Sequence, residues 1–184
     1  MNYSDCTHLN EPPKPEGFID RYVDYLCGQF GLWTAGKLLD VGCGNGEYVD
    51  AFKRAGKDAK GIDKYSYYDI NGDIELMTTN RYGFYDVVHS KSVIEHCRYP
   101  MNAIENMWHL CEPGGICIIL TPDIEYSKWS FYGDIGHVSP FNRNKLYQLF
   151  AYADFKDISV ERFTHWPHGW KKPLKGMLIG KGKK

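Results

Sequence analysis

A run of glycines after a strand-like segment constrains this 184-residue chain more than any other feature. The run is Gly42-Cys43-Gly44-Asn45-Gly46, and it follows the apolar-rich segment Lys37–Val41. Glycine lets the backbone turn sharply and lets a ligand approach where a Cβ would collide. Residues 47–55 are helix-like, so the N-terminal amides of that helix would point at the same ligand. The pattern predicts the carboxyl edge of the first strand of a doubly wound sheet, where ligands bind.

Strand-like and helix-like segments alternate along the rest of the chain. Apolar residues recur at helical spacing over residues 19–26, 104–111 and 146–153, and Pro113-Gly114-Gly115 ends the second of these stretches. Short apolar runs at residues 59–63, 85–89 and 116–121 are typical of buried strands. This alternation predicts an α/β fold: a Rossmann-like, doubly wound, mostly parallel sheet in three α/β/α layers.

The last two strand-like segments predict how the sheet ends. Residues 158–163 and 176–180 are joined by a stretch that contains Pro167, Gly169 and Pro173. That connection is too short for a crossover helix, so the two strands should form an antiparallel hairpin. Residues 1–16 are polar and carry three prolines, which predicts a loose arm, and the length of residues 1–184 fits one domain.

Composition excludes several classes of protein and partner. The net charge of -1 lacks the basic excess expected of a nucleic-acid binder. The six cysteines include no CxxC pair, a pattern that favours reduced thiols over disulfides or a metal site. There is no apolar run of the ~20 residues that span a bilayer, and the first residues lack the apolar core of a signal peptide. We therefore expect a cytoplasmic protein with no membrane span and no metal.

An acidic residue at the end of the second strand indicates an adenosine site. Asp63 stands about twenty residues beyond the glycines, where a carboxylate can accept from both ribose hydroxyls of either NAD or S-adenosylmethionine. The dinucleotide fingerprint GxGxxG has its third glycine where this chain has Glu47. The spacing GxGxG therefore counts against an NAD-dependent oxidoreductase, which stays the rival enzyme, and Asp63 by itself does not choose between the two cofactors.

Four motifs in order resemble the class I S-adenosylmethionine-dependent methyltransferases. They are Asp40-Val41-Gly42-Cys43-Gly44-Asn45-Gly46, the Gly61-Ile62-Asp63 run, residues 85–96 from Tyr85 to Glu95-His96, and Glu112-Pro113-Gly114-Gly115. The family's reversed last strand is also similar to the hairpin predicted above. The resemblance covers residues 20–180. It implies S-adenosyl-L-methionine as cosubstrate and S-adenosyl-L-homocysteine as product.

The resemblance also implies roles for particular residues. Asp40, Gly42, Cys43, Gly44 and Gly46 would frame the methionine end of the cofactor, and Asp63 would hold the ribose. Asp73 and Ile74 resemble the pair that meets the adenine, and Ser90, just past strand four, would line the floor near the sulfonium. One departure is that only 21 residues separate Asp63 from Tyr85, so we expect a third strand abbreviated to residues 67–71.

Two histidines are candidates for the catalytic base, because a hydroxyl acceptor must lose a proton during methyl transfer. His137 lies in the loop after strand five, and His96 follows strand four, so both leave the active edge of the sheet. Either could instead be a structural histidine. The aromatic residues Tyr126, Trp129, Phe131 and Tyr132 in the same loop could line an acceptor pocket or close the lid over the sheet.

The acceptor itself is left open by the sequence. Methyltransferases that act on amino groups of nucleic-acid bases carry Asp or Asn with Pro-Pro after strand four, where this chain has Ser90-Lys91-Ser92-Val93. The departure favours a small-molecule acceptor with a hydroxyl: a sugar, a lipid-like precursor or a secondary metabolite. A methyltransferase-like module that binds a nucleotide or partner without catalysis is the alternative outside enzymes.

Overall fold

The computed structural model describes residues 17–78, 82–163 and 176–184. Seven strands form one sheet in the order β3-β2-β1-β4-β5-β7-β6. Their bounds are β1 Lys37–Val41, β2 Asp58–Asp63, β3 Ile70–Asn71, β4 Tyr85–Lys91, β5 Cys111–Pro122, β6 Lys156–Arg162 and β7 Met177–Lys183. The helices are α1 Phe18–Phe30, α2 Glu47–Arg54, α3 Pro100–Leu110, α4 Ile124–Ser127 and α5 Arg143–Tyr152, with 3-10 turns at Leu32–Thr34, Ile94–His96 and Lys128–Gly133.

Strand directions confirm the predicted sheet. Strands β1 to β5 pair in parallel, whereas β7 runs antiparallel to both β5 and β6. The third strand is reduced to Ile70–Asn71, as the short spacing after β2 predicted. The arm expected over residues 1–16 and the loop over residues 164–175 lie outside the described residues.

Helices cover both faces of the sheet, which confirms the three-layer arrangement. Side chains alternate along each strand, so Leu38 packs on the face covered by α1 and α2, while Leu39 packs on the face covered by α3 and α5. The apolar side chains whose spacing predicted the helices are buried against the sheet. They include Tyr22, Val23 and Leu26 in α1, and Leu146, Leu149 and Phe150 in α5. No helix among the described residues is long and apolar enough to cross a membrane.

Two element boundaries differ from the sequence prediction. Strand β4 continues to Lys91, which places Ser90 within the strand instead of just beyond it, because Ser90 pairs with Val41 on one side and Ile119 on the other. Cys111, expected in a helix, is extended and pairs with Tyr85, so β5 begins where α3 ends. The pairing is irregular between Tyr85 and Val87.

Candidate active site

The glycine turn after β1 has the conformation that its sequence predicts. Gly42, Gly44 and Gly46 all have positive φ, at 73°, 52° and 82°. A Cβ on Gly42 would lie 2.1 Å from Val93 Cγ2, and one on Gly46 would lie 2.1 Å from the Tyr68 ring. A Cβ on Gly44 would meet no atom within 4 Å. The turn is therefore packed tightly at its two ends and open at its centre, where a ligand can approach the backbone.

Asp63 ends β2 beside this turn and is anchored by three backbone amides. Its Oδ2 accepts from the Gly44 amide at 3.0 Å, and its Oδ1 accepts from the amides of Tyr65 and Ser66 at 2.7 and 3.0 Å. A carboxylate offers about four acceptor positions. Oδ2 can therefore accept a further hydrogen bond from a ligand hydroxyl. The three backbone amides fix the orientation of the carboxylate.

Asp40 and Cys43 lie beneath the turn and not on its open side. The Asp40 carboxylate is buried, and its Oδ1 pairs with His89 Nδ1 at 2.7 Å. Cys43 is also buried, and its Sγ fills the space next to Gly61, where a Cβ would come within 2.5 Å. Burial raises the pKa of the Cys43 thiol to about 12, and the carboxylates of Asp40 and Asp63 add to the effect. In this arrangement, both side chains support the turn from within the protein.

Asp73 and Ile74 line the same cleft as Asp63. Asp73 Oδ1 accepts from the Glu75 amide at 2.9 Å, and its Oδ2 stands 3.7 Å from Lys64 Nζ. Ile74, the residue after Asp73, is buried. The cleft brings together residues from four parts of the chain: Val41, Gly42, Ile62, Asp63, Lys64, Gly72, Asp73, Ile74, Glu75, Val93, His96 and Cys97.

Ser90 occupies a position different from the one the resemblance implies. Its side chain is fully buried within β4, and its Oγ has no hydrogen-bond partner. The cleft is lined instead by Val93, three residues further along the chain. Ser90 was expected at the floor of the site, and the longer strand places its hydroxyl inside the sheet.

The two candidate histidines meet at the edge of this cleft. The rings of His96 and His137 have centroids 4.8 Å apart, although 40 residues separate them in sequence. His137 Nδ1 lies 2.8 Å from the Phe131 carbonyl oxygen, which can only accept, so Nδ1 carries the proton. Its Nε2 therefore holds a lone pair when the ring is neutral. Burial and the neighbouring His137 lower the pKa of His96, which favours its neutral form.

Glu95 adds a buried carboxylate to the histidine pair. It is fully buried, and its Oε2 accepts from the Thr121 hydroxyl at 3.0 Å. Burial raises the pKa of Glu95 to about 7. Within the described part of the chain, Glu95, His96 and His137 are the one group of His, Cys, Asp and Glu side chains close enough to hold a metal ion.

The aromatic loop after β5 divides into a buried and an exposed part. Phe131 is buried and stacks on His137, with ring centroids 4.6 Å apart. Trp129 and Tyr132 are exposed and lie 6.3 Å from each other. Phe131 is thus part of the protein interior, while the rings of Trp129 and Tyr132 are exposed.

Sequence reasoning missed His89, Glu95 and Tyr68. His89 directly follows the apolar pair Val87-Val88 in β4, and a polar side chain buried in a strand requires a hydrogen-bond partner. Glu95 stood inside a recognised motif, but burial of its carboxylate depends on Thr121, 26 residues away. The contact of Tyr68 with Gly46 joins a loop to a turn 22 residues earlier, and no local pattern encodes it.

Comparisons with known proteins identify the family of this chain. The model of a family described as "Methyltransferase domain" matches residues 14–160, and the chain belongs to that family. Solved structures of S-adenosylmethionine-dependent methyltransferases share its fold, and together with the family match they confirm the resemblance to the class I S-adenosylmethionine-dependent methyltransferases.

Individual relatives are distant. A ubiquinone biosynthesis O-methyltransferase of Psychrobacter arcticus is 28% identical over 153 residues, covering 70% of this chain and 51% of the relative. The chain thus spans about half the length of that curated relative. Among solved structures, a SAM-dependent methyltransferase from Archaeoglobus fulgidus has a TM-score of 0.66 at 18% identity, covering 90% of this chain and 94% of the other. The plantazolicin methyltransferase BpumL in complex with SAH has a TM-score of 0.65 at 16% identity, covering 90% and 82%.

Proposed function

We propose that this chain transfers the methyl group of S-adenosylmethionine to a hydroxyl group of a small molecule. The observation that carries the proposal is the position of His96 and His137. His96 lines the cleft that also contains Gly42 and Asp63, and His137 contacts His96 from the opposite loop. Basic nitrogens therefore stand at the edge where a methyl acceptor would meet the cofactor.

The cofactor end of the proposal is supported by the cleft. Asp63 would receive the ribose hydroxyls, and the segment with Asp73 and Ile74 would face the adenine. The open side of Gly44 would accommodate the methionine end. Methyl transfer from a sulfonium requires mainly alignment of the acceptor and exclusion of water, which a walled cleft supplies.

The acceptor end of the proposal depends on the histidines and the aromatic surface. The neutral His137 ring offers Nε2 as a base for the proton of an acceptor hydroxyl. The exposed rings of Trp129 and Tyr132 lie on the same loop and suit a flat or apolar acceptor. The Psychrobacter relative is named an O-methyltransferase, which supports a hydroxyl acceptor for this chain.

Calorimetry and a methyl-transfer assay test the proposal together. We expect S-adenosylhomocysteine to bind and NAD not to bind, and labelled methyl from S-adenosylmethionine to appear on a phenol or alcohol from an acceptor panel. His137→Gln should lower turnover by ~10²–10⁴, the usual contribution of a general base, with cofactor affinity unchanged. His109→Gln is the matched control, because His109 is exposed on α3 and is not among the residues that line the cleft.

The outcomes separate the alternatives. If His96→Gln abolishes turnover while His137→Gln retains it, the base is His96. If neither change matters, the acceptor needs no protein base and the hydroxyl assignment is wrong. Binding of S-adenosylhomocysteine with no transfer to any acceptor would favour a silent binding module, and binding of NAD alone would overturn the cofactor assignment.

A further inference from the structure

We propose that Glu95, His96 and His137 form a binding site for a divalent transition-metal ion such as Zn²⁺. One ligand atom from each side chain lies within 4.8 Å of the other two. Donors on a tetrahedral zinc ion are about 3.4 Å apart, given bonds of about 2.1 Å. The three ligand atoms therefore need to approach one another by at most about 1.4 Å, a movement that side-chain rotation can supply.

The hydrogen bond of His137 leaves one nitrogen of its ring for a metal. His137 donates from Nδ1 to the carbonyl of Phe131, so its Nε2 has a lone pair when the ring is neutral. His96 is hydrogen-bonded to the backbone of Gly136. Histidines that bind a metal characteristically use their second nitrogen in this way, because the bond sets both the tautomer and the direction of the ring.

The Glu95 carboxylate has one oxygen without a hydrogen-bond partner, which independently supports a cation site. Its side chain is fully buried, yet only Oε2 is hydrogen-bonded, to Thr121, and Oε1 has no partner. A buried carboxylate oxygen without a partner costs free energy, because its hydration is lost and nothing replaces it. A cation bound beside the two histidines would complete the coordination of this oxygen.

The backbone holds the three ligands together before any metal binds. Glu95 and His96 are consecutive in the 3-10 turn that follows β4. The Glu95 carbonyl accepts from the amides of Val138 and Ser139, both at 2.9 Å. These two bonds join the loop that carries His137 to the turn that carries the other ligands, so the site is largely preorganised.

The donor set selects the class of metal. Two imidazoles and one carboxylate favour zinc, manganese, iron or cobalt, whereas magnesium and calcium prefer oxygen ligands alone. Asp134 adds negative charge, since its Oδ2 lies 3.8 Å from His137 Nε2. If the proposed methyl transfer holds, a bound ion would stand beside the acceptor and would lower the pKa of its hydroxyl, and direct proton transfer to His137 would belong to the metal-free protein.

Metal titration of the 184-residue chain tests this site without cofactor or acceptor. After treatment with a chelator and buffer exchange, the protein is titrated with Co²⁺ and followed by visible absorption, then with Zn²⁺ by calorimetry. We expect one ion to bind per chain. The bound Co²⁺ should show d–d absorption bands typical of nitrogen and oxygen ligands. Glu95→Gln and His137→Gln should each weaken binding at least as much as the ~10–100-fold cost of losing an outer partner.

The controls keep the result interpretable. His109→Gln removes an exposed histidine outside the cluster and should leave the affinity for Zn²⁺ unchanged. If Glu95→Gln does not fold, His137→Gln decides the matter, because His137 is on a partly exposed loop and its replacement leaves the core intact. Affinity that is equal in the unmodified protein and in His137→Gln, or no bound ion at all, would overturn the site. Because no methyl acceptor is present, that result would leave the proposed methyl transfer standing.

Discussion

His89 and Asp40 form a buried hydrogen bond directly beneath the glycine turn. His89 Nδ1 lies 2.7 Å from Asp40 Oδ1, and the two residues are register partners on β4 and β1. A carboxylate accepts only, so Nδ1 carries the proton and Nε2 is free to accept from the Tyr22 hydroxyl at 2.8 Å. A chain of three buried polar groups therefore joins α1, β4 and β1 below the cofactor site.

Replacing His89 should destabilise the fold strongly. His89→Leu would leave the Asp40 carboxylate and the Tyr22 hydroxyl buried without their partner, at a cost of roughly 3–5 kcal/mol. Tyr22→Phe removes one hydroxyl and retains the ring, so the loss should be smaller, roughly 1–3 kcal/mol. Urea denaturation followed by circular dichroism measures both. Equal stability of His89→Leu and the unmodified protein would show that the chain of hydrogen bonds contributes nothing.

A methyl group on Gly44 should interfere with the cofactor and not with the fold. Gly44 has a φ of 52° and open space around its missing Cβ, so Gly44→Ala costs about 1–2 kcal/mol of backbone strain. Its methyl would project into the open side of the turn, and we expect affinity for S-adenosylhomocysteine to fall ~10-fold or more. Gly56→Ala is a matched control, because Gly56 has a φ of 80°, equally open space and a position at the other end of α2. Identical affinities in the two variants would place the cofactor elsewhere.

Asp63 should contribute to cofactor binding through its carboxylate. Asp63→Ala removes the proposed ribose acceptor and the anchor of the Gly44 amide, so affinity should fall by ~1–3 kcal/mol, or about 5- to 150-fold. Asp58 begins the same strand at its opposite, exposed end, which makes Asp58→Ala the control. Calorimetry with S-adenosylhomocysteine checks the pair. A folded Asp63→Ala protein with unchanged affinity would exclude the ribose role.

The described cysteines should resist alkylation in the folded protein. Burial raises the pKa of Cys43 and Cys111 from about 9 to about 12, and it also raises the pKa of Cys27, Cys97 and Cys117. Because the thiolate is the nucleophile, Cys43 and Cys111 should be about a thousandfold less ionised than free thiols at pH 8. Iodoacetamide labelling with peptide mass spectrometry measures this, with urea-unfolded protein as the control. Rapid labelling of the Cys43 peptide without urea would contradict the prediction.

The same shifts have a consequence for stability at high pH. Unfolded thiols lose their protons near pH 9, whereas the folded Cys43 and Cys111 keep theirs until about pH 12. Above pH 9 the unfolded state therefore binds fewer protons than the folded state, and stability should fall as pH rises.

Local sequence determined most of the fold and the position of the glycine turn. The alternating apolar patterns gave the helices on both faces, because burial on a strand follows a period of two and on a helix a period near 3.6. The short connection between the last two strands predicted the hairpin. The glycine spacing around Gly44 predicted a turn with positive φ, since that conformation excludes most other residues.

Tertiary structure alone decided which polar side chains meet. Asp40 was expected to frame the methionine end of the cofactor, and the register of β1 and β4 places His89 beside its buried carboxylate. Ser90 was expected just past a strand, but pairing on both sides extends that strand over it. The contact between His96 and His137, and the burial of Glu95 beside them, depend on a loop that folds back across 40 residues. Such contacts follow from packing in three dimensions, and the spacing of residues along the chain does not encode them.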